Sequence, residues 1–372
     1  MSTDRQLRVL ISGGGTAGHV QPGLDIARAL VARGCPVDNI HYVGSERGIE
    51  ARLVPAAGFE LTLLPGRGIQ RRLTLANIGA VLGLLRAVVS AFGVVRRQRP
   101  DVLVSLGGYA SVPCALWAII GRIPVVVAEQ NAVPGLANRL IGRFARAAAT
   151  SFPDVALPRS QWTGNPVRDE IRTIDRAARD AARARIDVAD DRFLLVAFGG
   201  SLGARHINHA LIDALADHWS ADDALAIRHI IGERDFDDIV SRVDLGPDAR
   251  VQYQPIRYED DMATVYTAAD LVLCRSGATT VAEVAVTGVP AVLIPLPGAP
   301  GDHQTANARA LVDCGAAVLV PDGELDGDRL HTEVETLRLH PDQLISMSRA
   351  ATGFARPDAA DAVAALVEKH AR

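Results

Sequence analysis

Short apolar runs alternate with longer stretches of helically spaced apolar residues along nearly the whole chain. In the first half the apolar runs predict strands near 7–12, 39–43, 59–63, 101–106, 124–128 and 146–150. The 3.6-residue period predicts helices near 19–33, 48–57, 74–98, 109–121 and 134–143. Trp162-Thr163-Gly164-Asn165-Pro166 then reads as a turn, because Gly-Asn-Pro breaks both periods. A charged helical stretch, Arg168 to Arg185, follows, and the alternation restarts. Strands are expected near 193–198, 225–231, 250–253, 270–274, 289–294 and 316–320. Helices are expected near 205–216, 234–243, 259–268, 278–287 and 303–314, and the chain ends in an alanine-rich helix, Asp358 to Lys369. Alternation of this kind predicts an α/β fold of two doubly wound parallel sheets, each with helices on both faces. The expected domains are 1–164 and 165–350, with 351–372 packing back on the first. Two such domains facing each other would enclose a cleft between their strand ends, closed by a hinge near 164–168.

The chemistry concentrates where predicted strands run into helices. Ile11-Ser12-Gly13-Gly14-Gly15-Thr16-Ala17-Gly18-His19 is a strand end, a glycine turn and a helix start. That arrangement lets backbone N–H groups approach an anion, although a purely structural turn has the same composition. It satisfies G-x-G-x-x-G, which is weak evidence for a dinucleotide fold, and the acid such a fold wants on the next strand falls late, at Glu46. Gly107-Gly108-Tyr109-Ala110-Ser111, Gly199-Gly200-Ser201-Leu202-Gly203-Ala204-Arg205 and Arg275-Ser276-Gly277-Ala278 repeat the device. Ser201 would offer a hydroxyl to phosphate, and Arg205 faces either the site or solvent. Glu283, early in its predicted helix, is either compensation for the helix dipole or an acceptor for vicinal ribose hydroxyls. His303 and Gln304 suit sugar hydroxyls or helix capping. Asp260 and Asp261 fit a helix cap better than a metal site.

Composition narrows the classes. The chain has 372 residues, 48% hydrophobic and 22% charged, so it fills two cores and is not disordered. The four cysteines are scattered with no C-x-x-C pair, which suggests neither zinc nor disulfides. The N-terminus lacks the apolar run of a signal peptide. A net charge of −4 argues against general nucleic-acid binding, yet Leu61 to Pro100 holds seven arginines (Arg67, Arg71, Arg72, Arg86, Arg96, Arg97, Arg99) and no acid. A basic patch on an acidic protein points to a specific anionic partner.

Gly13 to Val20, Gly107-Gly108-Tyr109, Glu129-Gln130-Asn131, Gly164-Asn165-Pro166-Val167-Arg168, Gly199 to Arg205 and Arg275 to Ala278 occur in this order. Together they resemble the MurG family of peptidoglycan N-acetylglucosaminyltransferases over roughly residues 7 to 320. The resemblance implies the GT-B architecture, two Rossmann-like domains with a deep cleft. It also implies transfer of GlcNAc from UDP-GlcNAc to the C4 hydroxyl of the MurNAc unit of lipid I, giving lipid II, with no cofactor and no metal. By motif, Thr16, Ala17 and Gly18 would lie at the donor sugar and diphosphate, and Asn131 at GlcNAc. Arg168 and Ser201 would meet the diphosphate, Ala278, Thr279 and Glu283 the nucleotide, with Glu283 on the ribose, and Gln304 the GlcNAc hydroxyls. The chain departs from the pattern in Ala17, where many members have glycine, and in Gln21, where an aromatic is common. The loop 297–302 also differs, which leaves Thr305 and Gln304 as alternatives for one sugar contact.

On this resemblance His19 is the candidate general base, because imidazole titrates near working pH; shaping the loop is its other possible role. A lipid-linked acceptor implies a peripheral protein on the cytoplasmic face of the bacterial membrane, with cell-wall synthesis and division proteins as possible partners. Leu75, Ile78, Val81, Leu82, Leu85, Val88, Val89 and Phe92 give one predicted helix a broad apolar surface. Arg86 in mid-span would cost about 2.5–3.5 kcal/mol at a bilayer centre, so the helix reads as docking on anionic headgroups rather than spanning. Leu116 to Ile120 would extend the patch. An ordinary buried helix remains the alternative. The rival functions are another GT-B sugar transferase, an NAD-dependent oxidoreductase and a nucleotide-sugar binding module without turnover.

Overall fold

A computed structural model describes residues 6–46, 48–65, 76–200 and 203–372; the side chains of Ala17 and of 76–82 fall outside that description. Two compact units result, one made of Met1–Val167 with Arg356–Arg372, the other of Arg168–Ala355. The divisions fall a few residues beyond those expected from the turn at Gly164-Asn165-Pro166.

The first unit is built on a seven-stranded parallel sheet in the order β3-β2-β1-β4-β5-β6-β7. Its strands are β1 (Val9–Gly13), β2 (Ile40–Ser45), β3 (Glu60–Leu64), β4 (Val102–Gly107), β5 (Val125–Glu129), β6 (Ala147–Thr150) and β7 (Ser160–Trp162). The intervening helices are α1 (Ala17–Ala32), α2 (Glu50–Ala56), α3 (Ala76–Gln98), α4 (Ser111–Ile120) and α5 (Leu136–Gly142). The central strands carry unbroken apolar runs, such as Val102, Leu103 and Val104, because helices cover both faces.

The second unit has a six-stranded parallel sheet in the order β10-β9-β8-β11-β12-β13. Here α6 (Asp169–Arg172) and α7 (Arg179–Arg185) precede β8 (Phe193–Phe198), α8 (Arg205–Ala214), β9 (Leu225–Ile230) and α9 (Phe236–Arg242). Then come β10 (Gln252–Ile256), α10 (Met262–Ala268), β11 (Leu271–Cys274), α11 (Ala278–Thr287), β12 (Ala291–Leu293), α12 (His303–Asp313) and β13 (Ala317–Leu319). Two helices, α13 (Gly327–Arg338) and α14 (Pro341–Phe354), close the unit. The last helix, α15 (Ala359–His370), belongs to the first unit. Its Val363, Ala364, Leu366 and Val367 join the core that α1, β1 and β4 form.

Several expectations change. The stretch 168–185 is two short helices with a turn between them rather than one helix. α13, α14 and the three-residue edge strand β7 went unread in the sequence. As expected, Asp261 caps α10, accepting from the Thr264 amide at 3.0 Å and its hydroxyl at 2.7 Å. Both strand orders reverse at one place, β1/β4 in the first sheet and β8/β11 in the second. Ligands of such sheets bind beyond the strand ends at that reversal. All four glycine turns singled out in the sequence follow one of these four strands.

Candidate functional site

In the first unit the two reversal loops interlock through glycine. A Cβ on Gly13 (φ +141°) would lie 2.6 Å from the Gly107 carbonyl oxygen, and one on Gly108 (φ +79°) 2.8 Å from that of Gly14. Side chains there would drive the loops apart. The turn ends at Thr16, the extended residue that caps α1, and Thr16 Oγ1 lies 2.9 Å from His19 Nδ1. Thr16, Gly18 and His19 therefore share one helical turn at the end of β1. The sequence offered every loop amide to an anion, but the Gly15 amide is already taken, donating to Glu50 Oε2 at 2.9 Å.

Asn131 is held at the end of β5 by a second buried carboxylate. Glu129 Oε1 accepts from the Asn131 amide at 3.0 Å, and Oε2 accepts from Gly135 N at 3.1 Å and Asn138 Nδ2 at 2.9 Å. Ser105 Oγ on β4 donates to Asn138 Oδ1 at 3.1 Å. The Asn138 amide also lies 3.1 Å from where a Gly107 Cβ would stand, so the network joins the β4 and β5 loops. Glu50, Ser105 and Asn138 were missed in the sequence, because the Gly15–Glu50 and Ser105–Asn138 bonds span 35 and 33 residues.

In the second unit Ser201 and Leu202 lie outside the described residues. The rest of their loop is tight: a Cβ on Gly203 (φ +77°) would stand 2.3 Å from the Ile231 carbonyl oxygen. Arg205 turns to Asp235, its Nη2 3.0 Å from Oδ1. Hydrogen bonds from Arg234, then Arg205, outweigh burial and hold the Asp235 carboxyl below the usual carboxylate range. Arg168 and Glu283, placed at different parts of a ligand by the sequence, meet directly. Arg168 Nη2 stands 3.4 Å from Glu283 Oε1, and the Tyr266 hydroxyl donates to Oε2 at 3.0 Å. Burial, then the Glu283 charge, pushes the Tyr266 phenol far up, so it stays a donor.

The N-terminal turn of α11 presents Ala278 and Thr279, and the buried Thr279 hydroxyl has no hydrogen-bond partner among the described residues. Gln304 lies inside the first turn of α12, its Oε1 accepting from Leu296 N at 2.9 Å and its carbonyl accepting from Ser276 Oγ at 2.8 Å. That pair ties the β11 loop to the β12 loop. Thr305 Oγ1 donates to Asp302 Oδ1 at 2.8 Å. The helix starts at His303, where the expected 303–314 helix begins, and His303 Nδ1 contacts the Pro300 carbonyl. Among the described residues no three His, Cys, Asp or Glu side chains cluster as metal ligands would.

The glycosyltransferase family 28 N-terminal domain matches residues 9–150, and the C-terminal domain of that family matches residues 194–363. An N-acetylglucosamine transferase of Alkalilimnicola ehrlichii is 43% identical over 365 residues, covering 98% of this chain and 99% of the relative. Its full name is UDP-N-acetylglucosamine--N-acetylmuramyl-(pentapeptide) pyrophosphoryl-undecaprenol N-acetylglucosamine transferase, and a Myxococcus xanthus relative of the same name is 39% identical, covering 96% and 91%. The chain belongs to the MurG family. The crystal structure of Acinetobacter baumannii MurG aligns with a TM-score of 0.79 at 31% identity, covering 98% of this chain and 99% of that one. MurG membership covers both doubly wound units, so the β1/β4 and β8/β11 loops belong to one transferase.

Proposed function

We propose that this chain transfers N-acetylglucosamine from UDP-GlcNAc to the C4 hydroxyl of MurNAc in undecaprenyl-pyrophosphoryl-MurNAc-pentapeptide, converting lipid I to lipid II. The near end-to-end match to transferases of that name carries the reading. The C1–O bond to the β-phosphate of UDP breaks, and a C1–O4 bond forms on the opposite face of the sugar, inverting the anomeric centre. The electron pair leaves with UDP. Arg168, the amides at the start of α11 and the β8 loop with Ser201 stabilise that charge. The acceptor proton passes to His19. For that step Nδ1 must hold the proton and donate to Thr16 Oγ1, leaving the Nε2 lone pair for the sugar hydroxyl.

Thr16, Ala17 and Gly18 border the donor sugar, with Asn131 and Gln304 on its hydroxyls. Ala278 and Thr279 flank the nucleotide, and Glu283 accepts from the ribose hydroxyls. Arg168 and Glu283 form an ion pair at 3.4 Å.

The acceptor is lipid-linked, so we place the protein peripherally on the cytoplasmic face of the bacterial membrane. No described helix is long and apolar enough to cross a membrane. α3 instead carries two apolar stripes. Ala87, Ala91 and Val94 are buried, while Leu85, Val89 and Phe92, at the same i, i+4, i+7 spacing, face solvent. A helix enclosed on all sides would show no such outer stripe. α4, packed against both α3 and α5, adds exposed Leu116 and Ile120, and Leu136, Leu140 and Phe144 extend the surface along and beyond α5. Arg86, Arg139 and Arg143 stand exposed in the same helices and their margin, where anionic headgroups would meet them. Arg67, Arg71, Arg72 and Leu75 lie outside the described residues, as do the side chains of Ile78, Val81 and Leu82.

The deciding measurement is UDP release from UDP-GlcNAc with a lipid I analogue, with and without EDTA. Release that requires the acceptor and survives EDTA is expected. Tight UDP-GlcNAc binding without release would point to another acceptor. Loss with EDTA, restored by magnesium, would overturn the account of leaving-group stabilisation by Arg168 and helix amides.

A further inference from the structure

Glu50 opens α2 and is fully buried. A carboxylate at a helix start is ordinarily read as compensation for the dipole. Its contacts lie elsewhere: Oε2 accepts from the Gly15 amide at 2.9 Å, and Oε1 accepts from the Ser45 amide at 2.7 Å and the Ser45 hydroxyl at 3.0 Å. Three glycines make room for it. A Cβ on Gly14 would stand 2.5 Å from its Cδ, one on Gly44 2.3 Å from its Cγ, and one on Gly48 1.9 Å from its Oε2. The β1 turn, the end of β2 and the entry to α2 therefore converge on one buried acid. Among the described residues it forms no ion pair.

We infer that Glu50 is a positioning residue for sugar transfer: by locking the Gly15 amide it fixes the turn that carries Thr16 and His19. Among the described residues no atom lies within 4 Å of where a Gly15 (φ +97°) Cβ would be, whereas its amide is bonded to the carboxylate. The kinetic consequence rests on the transfer proposed above, with His19 as its base.

The discriminating variant is E50Q. Both carboxylate oxygens face obligate backbone donors, and a glutamine offers one acceptor and one donor end. With its oxygen kept on the two Ser45 donors, its NH2 opposes the Gly15 N–H, so the volume is preserved and the tether is lost. We expect kcat to fall about ten- to a hundred-fold, as for a slightly misplaced catalytic group. KM for UDP-GlcNAc should change less than kcat, since the proposed nucleotide contacts lie in the second unit and only the sugar contacts of Thr16 to Gly18 depend on this turn. The S45A variant, which removes a hydrogen bond to the same acid but spares the tether, should retain kcat within about two-fold. Gly15 amide exchange followed by NMR should be slow in the wild type and at least about ten-fold faster in E50Q. A Gly15 amide that exchanges freely in the wild type overturns the proposal. So does an E50Q enzyme with unchanged kcat, one whose kcat, KM and Tm all shift together, or an S45A enzyme as impaired as E50Q. If the wild type releases no UDP with lipid I, the transfer reading fails, while amide exchange still decides whether Glu50 holds the loop.

Discussion

Thr16 Oγ1 sits 2.9 Å from His19 Nδ1, three residues apart on the first turn of α1. The hydroxyl can donate or accept here, and the base role proposed for His19 requires the tautomer in which Nδ1–H donates to it. Replacing Thr16 by valine keeps the shape and removes the partner. T16V should lower kcat about ten-fold, and H19A about 10²–10⁴-fold, the usual range for a lost general base. Single-turnover rates at saturating UDP-GlcNAc check both. H19A with nearly unchanged kcat would rule His19 out as the base.

The Arg168–Glu283–Tyr266 chain gives a second prediction, on nucleotide recognition. Glu283 is buried and already accepts from both neighbours. Should it also accept from the ribose, E283Q weakens UDP binding by about ten- to a hundred-fold, the worth of a charge-assisted hydrogen bond of about 1.5–3 kcal/mol. The variant should then bind UDP and 2′-deoxy-UDP alike in calorimetry. If it weakens both ligands equally, Glu283 acts only by holding Arg168.

How much of this was legible follows a physical divide. Strand and helix alternation is local, so nearly every buried strand and the four glycine turns lay within a few residues of where the pattern put them. The acids that fix those turns are different. Glu50 looks like any helix-start acid until β1 and β2 pair and bring Ser45 and Gly15 to it. Glu129 lay inside a recognised motif, but its partner Asn138 comes from the next helix. α13 escaped because only Leu330, Val334 and Leu337 of its charged surface are apolar and buried. Its cap was nonetheless readable, since Asp326 accepts from Arg329 N at 2.7 Å, and Pro341 at the first turn of α14 is an equal start signal.

Acid should destabilise the second unit through His229. The ring is fully buried between Asn208 Oδ1, 3.0 Å from Nε2, and the Tyr253 hydroxyl, 2.9 Å from Nδ1. Asn208 Nδ2 donates to the Ile231 carbonyl, so its Oδ1 accepts from a neutral His229. Burial pushes the His229 pKa down to about 3. Its folded pKa thus lies below the unfolded value of about 6.5, and protonation favours unfolding. The stability is fully present above about pH 6.5 and is lost as pH falls toward 3, with an upper bound of about 4–5 kcal/mol. Urea melts across this range should show a steeper loss for the wild type than for H229Q, which cannot take up the proton. Parallel slopes would show that other groups govern acid unfolding.

Membrane association should depend on the outer stripe of α3 more than on charge alone. Val89 is 71% exposed and Leu85 58%, while Ala87 and Ala91 on the opposite face hold the helix to its unit. Substitutions on the outer stripe therefore leave the core intact. Burying one such side chain in the interface contributes up to about 1.5–3 kcal/mol, so L85D with V89D should weaken vesicle binding by at least about ten-fold. R86E should weaken binding to anionic vesicles and leave the weaker binding to neutral ones unchanged, because headgroup attraction is electrostatic. Transfer to a short-chain, water-soluble lipid I analogue should survive all three changes, since none touches the β1/β4 or β8/β11 loops. Sedimentation with vesicles of each composition reads the binding. If L85D with V89D binds anionic vesicles as tightly as the wild type, the stripe is not the docking surface.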